Sequence, residues 1–124
     1  MIAGRGKVII SSLKVFAYHG CTPEEREHGQ TFFIDIELEG DFLAAIETDD
    51  LNRTIDYDRV VSGVHEIAAG ERYDLIETLT GKIGAYLMQE TTASRAVVRV
   101  RKPEAPLEFE VKEVAVEMVF EGDA

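Results

Sequence analysis

The chain has 124 residues, 45% of them hydrophobic and 30% charged, which suits one soluble domain able to bury a core of its own. Thirteen basic against 24 acidic residues leave a formal charge of −11, which argues against nucleic acid and anionic membranes as partners, since both reward basic patches. Cys21 has no second cysteine to pair with, no stretch approaches the ~20 apolar residues of a membrane span, and the N-terminal apolar run is too short for a signal peptide, so a cytoplasmic protein is expected.

Lys7 to Tyr18 is rich in β-formers, with Val8, Ile10, Leu13, Val15 and Phe16 interrupted by Ser11–Ser12. That serine pair predicts a bulge at which the inward face changes over. A polar knot follows, "HGCTPEEREHG". Within it Thr22-Pro23-Glu24-Glu25 has the form of a capping box, with a hydroxyl at the cap, proline at the first helical position and glutamate at the third. Gln30 to Gly40 alternates more cleanly: Phe32, Ile34, Ile36 and Leu38 fall on one face, and Thr31, Asp35, Glu37 and Glu39 on the other, with Phe33 the exception. This is a strand with one wet face.

"DFLAAIETDDLNRTIDY" reads as a short helical turn and a loop. Val60, Val61, Val64, Ile67 and Ala68 form one apolar helical stripe, and Leu75, Ile76, Leu79, Ile83 and Leu87 form a second, with "GERYD" between them. Asp56 is placed to cap the first helix, and Asp74-Leu75-Ile76-Glu77 resembles a capped start for the second. Period two returns in Val98 to Arg101, stops at "KPEAP", and resumes from Val114 to Glu121. The order β-β-α-α-β-β predicts an α+β fold in one domain over residues 1–124, a four-stranded antiparallel sheet with two helices on one face. Its two edges need protection, which pairing between subunits would give.

Each candidate functional group has a plain alternative. Glu25 and Glu77 both have capping jobs available. Tyr57 follows a helix cap and can be a surface ring, and Lys102, before Pro103, can be a solvated strand end. The functional readings are a carboxylate at a helix start, suited to a flat ligand with two adjacent N–H donors, and an amine able to carry a proton. His19, His28 and His65 lack the spacing of a metal site, and no glycine-rich phosphate loop opens a helix.

Taken in order, "FAYHGCTPEEREHGQTFFIDIEL", "TDDLNRTIDY", "DLIETL" and "VRVRKPEAP" resemble the successive signatures of the dihydroneopterin aldolase family over nearly the whole chain. The resemblance implies the tunnelling fold and subunits joined into a ring-shaped barrel, a tetramer or octamer with sites at subunit interfaces. It implies a metal-free and cofactor-free aldolase of folate biosynthesis, with a small-molecule pterin as substrate. Residue by residue it assigns Glu25 to the polyol side chain, Tyr57 to a proton relay supplied by a neighbouring subunit, Glu77 with the backbone of Ile76 to the pterin ring, and Lys102 to proton transfer. The chain departs from the family pattern at its end, "VFEGDA", where a basic residue is usual. The alternatives are epimerisation of the same substrate or its triphosphate, and a non-catalytic pterin-binding or ring-forming protein.

Overall fold

The computed structural model describes residues 2–122; the last two residues of the divergent "VFEGDA" tail lie outside them. In chain order the elements are β1 (Arg5–Ala17), α1 (Pro23–His28), β2 (Gln30–Asp41), α2 (Leu43–Thr48), a 3-10 turn (Leu51–Arg53), α3 (Tyr57–Ala69), α4 (Ile76–Glu90), β3 (Arg95–Lys102) and β4 (Val114–Glu121). The two long helices and four strands keep the β-β-α-α-β-β order, and α1 and α2, six residues each, stand where the capping box and the short helical turn were expected. The sheet is antiparallel throughout, in the order β1-β2-β3-β4.

Alternation decides which side of the sheet is covered. Phe32, Ile34, Ile36 and Leu38 of β2 are fully buried, as are Ala96, Val98 and Val100 of β3. They pack under Val60, Val64 and Ala68 of α3 and Leu79, Ile83 and Leu87 of α4. The expected bulge is present. Register shifts between Ile10 and Leu13, and Ser12 adopts φ 57°. Inward residues therefore change from Val8 and Ile10 to Leu13, Val15 and Ala17. Asp35 accepts the Ser12 N–H at 2.7 Å, and Arg101 donates to Ser12 Oγ at 2.6 Å, so the extra residue's polar groups are satisfied. Phe33, the break in the β2 alternation, lies under the Arg101 guanidinium at 5.2 Å.

Asp56 caps α3 as expected, accepting the Arg59 N–H at 3.3 Å. The start of α4 differs from expectation. Its cap position is Leu75, with no side-chain hydrogen bond. Asp74 is drawn instead to the guanidinium groups of Arg72 and Arg26, because charge-assisted bonds outcompete a neutral backbone donor. Leu75, placed on the apolar stripe by spacing, is half exposed for the same reason: it lies before the helix rather than on it.

Among the described residues nothing pairs with the β1 and β4 edges, and they expose Ile9, Phe16 and Val119. Among the described residues no helix is long and apolar enough to cross a membrane.

Candidate active site

The polar knot after β1 is organised as its sequence predicts. Thr22 Oγ1 accepts the Glu25 N–H at 3.2 Å, and the Thr22 N–H returns to Glu25 Oε1 at 3.3 Å, closing the capping box. The Thr22 hydroxyl adds a third bond at 3.0 Å. A cap uses only one end of the carboxylate. Its other oxygen, Oε2, accepts from Gln30 Nε2 at 2.7 Å and forms an ion pair with Lys102 Nζ.

Three elements build this contact. The carboxylate is delivered by α1, Gln30 opens β2, and Lys102 ends β3. The β2–β3 register, with Phe33 opposite Arg101, brings the end of β3 to the start of β2. Gly20 makes room with φ 146°, since a Cβ there would stand 2.3 Å from the Glu25 carboxyl carbon.

Glu25 is only 6% exposed and the Lys102 side chain 13%. Burial pushes the Glu25 carboxyl up, but bonds from Lys102, Gln30 and Thr22 outweigh it and hold the group below the ordinary carboxylate range. Lys102 is thus not the solvated strand end that its place before Pro103 allows. The rest of the basic run is neutralised as well, Arg99 by Glu117 at 2.9 Å and Arg101 by Asp35 at 2.8 Å.

Glu77 sits in the first turn of α4, exposed, with Ile76 buried before it. Among the described residues no side-chain acceptor faces the N–H of Ile76 or Glu77, so this helix start presents open donors beside a carboxylate. The capping job available to Glu77 in the sequence is therefore not taken up. Tyr57 is placed differently. It opens α3, is 62% exposed, and stands eleven residues, roughly 16 Å of helix rise, from Ala68, which abuts the polar knot. One chain brings Glu25 and Lys102 together and leaves Tyr57 at the far end of α3. An open cleft of about 730 Å³ lined by Arg5, Lys7, Glu39, Asp41 and Ser94 lies at the other end of the β1–β2 pair and contains none of these four residues.

Two polar residues, one opening the knot and one just after it, escape a reading by motif. Gln30 is 6% exposed, and its Oε1 is buried without a partner among the described residues. The signal was present: the β2 alternation puts Gln30 on the same inward face as Phe32 and Ile34, where a polar side chain needs a reason. His19 is also buried, with both ring nitrogens against backbone groups.

Comparison with known proteins agrees with this architecture. The family model for dihydroneopterin aldolase (FolB) matches residues 8–119. The dihydroneopterin aldolase of Streptomyces coelicolor is 35% identical over 113 residues, covering 91% of this chain and 95% of its own. A crystal structure from Vibrio cholerae superposes with a TM-score of 0.87 at 26% identity, covering 94% of this chain and 98% of the other. The Escherichia coli dihydroneopterin aldolase in complex with neopterin gives 0.85 at 23% identity over 93% and 98% of the two chains, a likeness of fold. On the length of the match and its identity with the curated relative, the chain belongs to the dihydroneopterin aldolase family.

Proposed function

We propose that this aldolase of folate biosynthesis splits 7,8-dihydroneopterin into 6-hydroxymethyl-7,8-dihydropterin and glycolaldehyde with its own side chains as the acid–base groups. The observation that carries the reading is the buried Glu25–Lys102 pair, with Gln30 on the same carboxylate oxygen. A proton carrier held against a desolvated carboxylate is costly as a purely structural device.

Glu77 and the open N–H of Ile76 form the pterin end of the site. A carboxylate there accepts the ring's amino and ring N–H donors in parallel, and the helix start offers donors in return. The substrate polyol then reaches Glu25. In the resting chain Glu25 is paired with the Lys102 ammonium, so a substrate hydroxyl must take over one of its oxygens and Lys102 must give up its ammonium proton to solvent before its nitrogen can accept another. Gln30 Oε1, buried and unpaired, is an acceptor that a substrate hydroxyl would satisfy.

The chemical step balances without a further reagent. Lys102, having given its ammonium proton to solvent, takes the proton of the side-chain 2′-hydroxyl, and the C1′–C2′ bond breaks. Its electron pair flows into the C6=N5 imine of the ring, and C2′ leaves as the aldehyde carbon of glycolaldehyde. The resulting enamine takes a proton at C1′ and restores the imine. Tyr57 is the relay assigned to that return, and its position 16 Å or so along α3 supports its supply by a neighbouring copy. The exposed apolar edges of β1 and β4 support closure of copies into a ring, a tetramer or an octamer.

The test is to incubate the purified protein with dihydroneopterin and separate the products. Glycolaldehyde and hydroxymethyldihydropterin in equal amounts support the reading. The side-chain epimer alone would show that the shared intermediate is recaptured rather than released, and no turnover with tight binding would leave a pterin-binding protein.

A further inference from the structure

The chemistry above makes no use of His19, one of the most enclosed side chains of the molecule at 1% exposure. It lies just after β1, where the chain leaves the sheet for the polar knot. Its Nε2 is 2.7 Å from the Ala68 carbonyl in the last turn of α3, and its Nδ1 accepts the Tyr73 N–H at 3.1 Å. An acceptor on one side and a donor on the other select the neutral ring with its proton on Nε2. Tyr73 stacks on the ring at 5.7 Å and Phe32 meets it edge-on at 5.5 Å.

The surrounding bonds form a seam. Gly20 donates its N–H to the Tyr73 carbonyl at 3.1 Å, and Arg72 Nη1 donates to the Gly20 carbonyl at 2.8 Å. Arg26 on α1 reaches Asp74 at 3.3 Å. The seam joins the loop that leads into α1 and Glu25 to the loop that runs into Glu77. Since α4 starts without a side-chain cap, its first turn takes its position from whatever holds residues 72–74. On the other side, the Glu25 carboxylate packs against Gly20, the residue bonded directly to His19.

We propose that His19 is a positioning residue for the site: by accepting the Tyr73 N–H and donating to the Ala68 carbonyl, it sets the start of α4, and so Glu77, at a fixed offset from the Glu25–Lys102 pair. This rests on the reading of Glu77 as the pterin anchor. Burial, with the nearby charges of Arg72 and Lys102, keeps the ring neutral against the opposing pull of the Ala68 carbonyl. A protonated ring would turn a second N–H toward that of Tyr73 and open the seam.

Two substitutions divide the contact. His19→Asn places an oxygen near the Nδ1 position and keeps an acceptor for Tyr73. His19→Gln reaches the Nε2 position, keeping the donor to Ala68 and losing the acceptor. Neopterin is the probe, titrated by fluorescence at pH 7.5, with unfolding followed on the same samples. The glutamine variant should lose about tenfold in affinity, the scale of one net hydrogen bond, while the asparagine variant stays within about threefold. In a Glu77→Gln background, His19→Gln should cost little further affinity, because the residue acts through that carboxylate.

Affinity that merely tracks stability across the two variants would overturn the proposal, as would full additivity with Glu77→Gln. Should Glu77→Gln alone bind neopterin like the unmodified protein, the anchor reading falls, and the role of His19 with it. A weakened Glu77 variant beside an unaffected His19→Gln would overturn the His19 role alone.

Discussion

Removing the Lys102 amine separates its observed role, partner of a buried carboxylate, from its proposed one, carrier of a proton. In Lys102→Ala, Glu25 keeps Gln30 Nε2 at 2.7 Å and Thr22 Oγ1 at 3.0 Å but loses its one ionic partner among the described residues, at 6% exposure. Breaking a buried pair by deleting one member typically costs about 3–5 kcal/mol. The lower end, about 3 kcal/mol, applies here because the capping-box bonds persist. Adding Glu25→Gln removes the stranded charge, so Lys102→Ala should cost only about 1 kcal/mol in that background, a coupling of about 2 kcal/mol. Urea unfolding at one fixed protein concentration measures all four corners of the cycle, the concentration being held because assembly would shift the midpoints.

Turnover is the second axis. General acid–base groups contribute ~10²–10⁴-fold, so kcat of Lys102→Ala should fall at least about a hundredfold, for cleavage and epimerisation alike. Lys102→Arg restores a cation to Glu25 and should recover most of the lost stability. It should stay nearly as inactive as the alanine variant, because a guanidinium does not release its proton at working pH. An arginine variant with most of its activity would show that Lys102 supplies charge alone. An unstable alanine variant with full turnover would make Lys102 a structural partner and nothing more.

Glu77→Gln should lose roughly thirty- to a thousandfold in pterin affinity, the cost of a charge-assisted pair, with an unchanged melting temperature because the exposed Glu77 caps nothing; calorimetric titration with neopterin checks both. Sedimentation at micromolar concentration should show a tetramer or larger, and a stable, active monomer would remove the shared-pocket role proposed for Tyr57. Exhaustive chelation should leave turnover unchanged, since His19 spends both ring nitrogens on backbone groups; activity lost and then restored by zinc would refute the acid–base scheme. Stability should fall with acidity in two stages, because both His19 and Glu25 titrate lower in the folded chain than their ordinary values of 6.5 and 4.5. The unfolded chain then binds the extra proton first, so the His19 contribution is complete above pH 6.5 and declines below it, and that of Glu25 declines below 4.5. The stability gap between the unmodified protein and His19→Asn should therefore narrow from pH 7.5 to pH 5, and a gap that widens would contradict a neutral buried ring.

What the sequence made legible is what local periodicity and local capping control. The alternation of Phe32, Ile34, Ile36 and Leu38 specified both a strand and its buried face, and Ser11–Ser12 marked the bulge because an unpaired residue must exchange the inward set. Thr22 and Glu25 announced their own cap, three residues apart. Asp74 misled for an equally physical reason: its capping geometry was local, but its two guanidinium partners were a rank stronger, and one of them came from α1. His19 and Gln30 gave no motif because their partners lie on other elements, although the inward face of β2 did flag Gln30 as a polar residue out of place.

The same distinction separates a cap from a site. A capping box satisfies one oxygen of Glu25 with groups three residues away, and it draws on nothing outside the sequence Thr-Pro-Glu-Glu. The second oxygen is engaged only because β2 and β3 pair in the register that sets Phe33 opposite Arg101, which brings Gln30 and Lys102 to the same end of the sheet. A slip of one residue would turn Lys102 to the other face of the sheet and leave the cap intact. Strand register, rather than any residue of the knot itself, is what converts a helix cap into a carboxylate–amine pair.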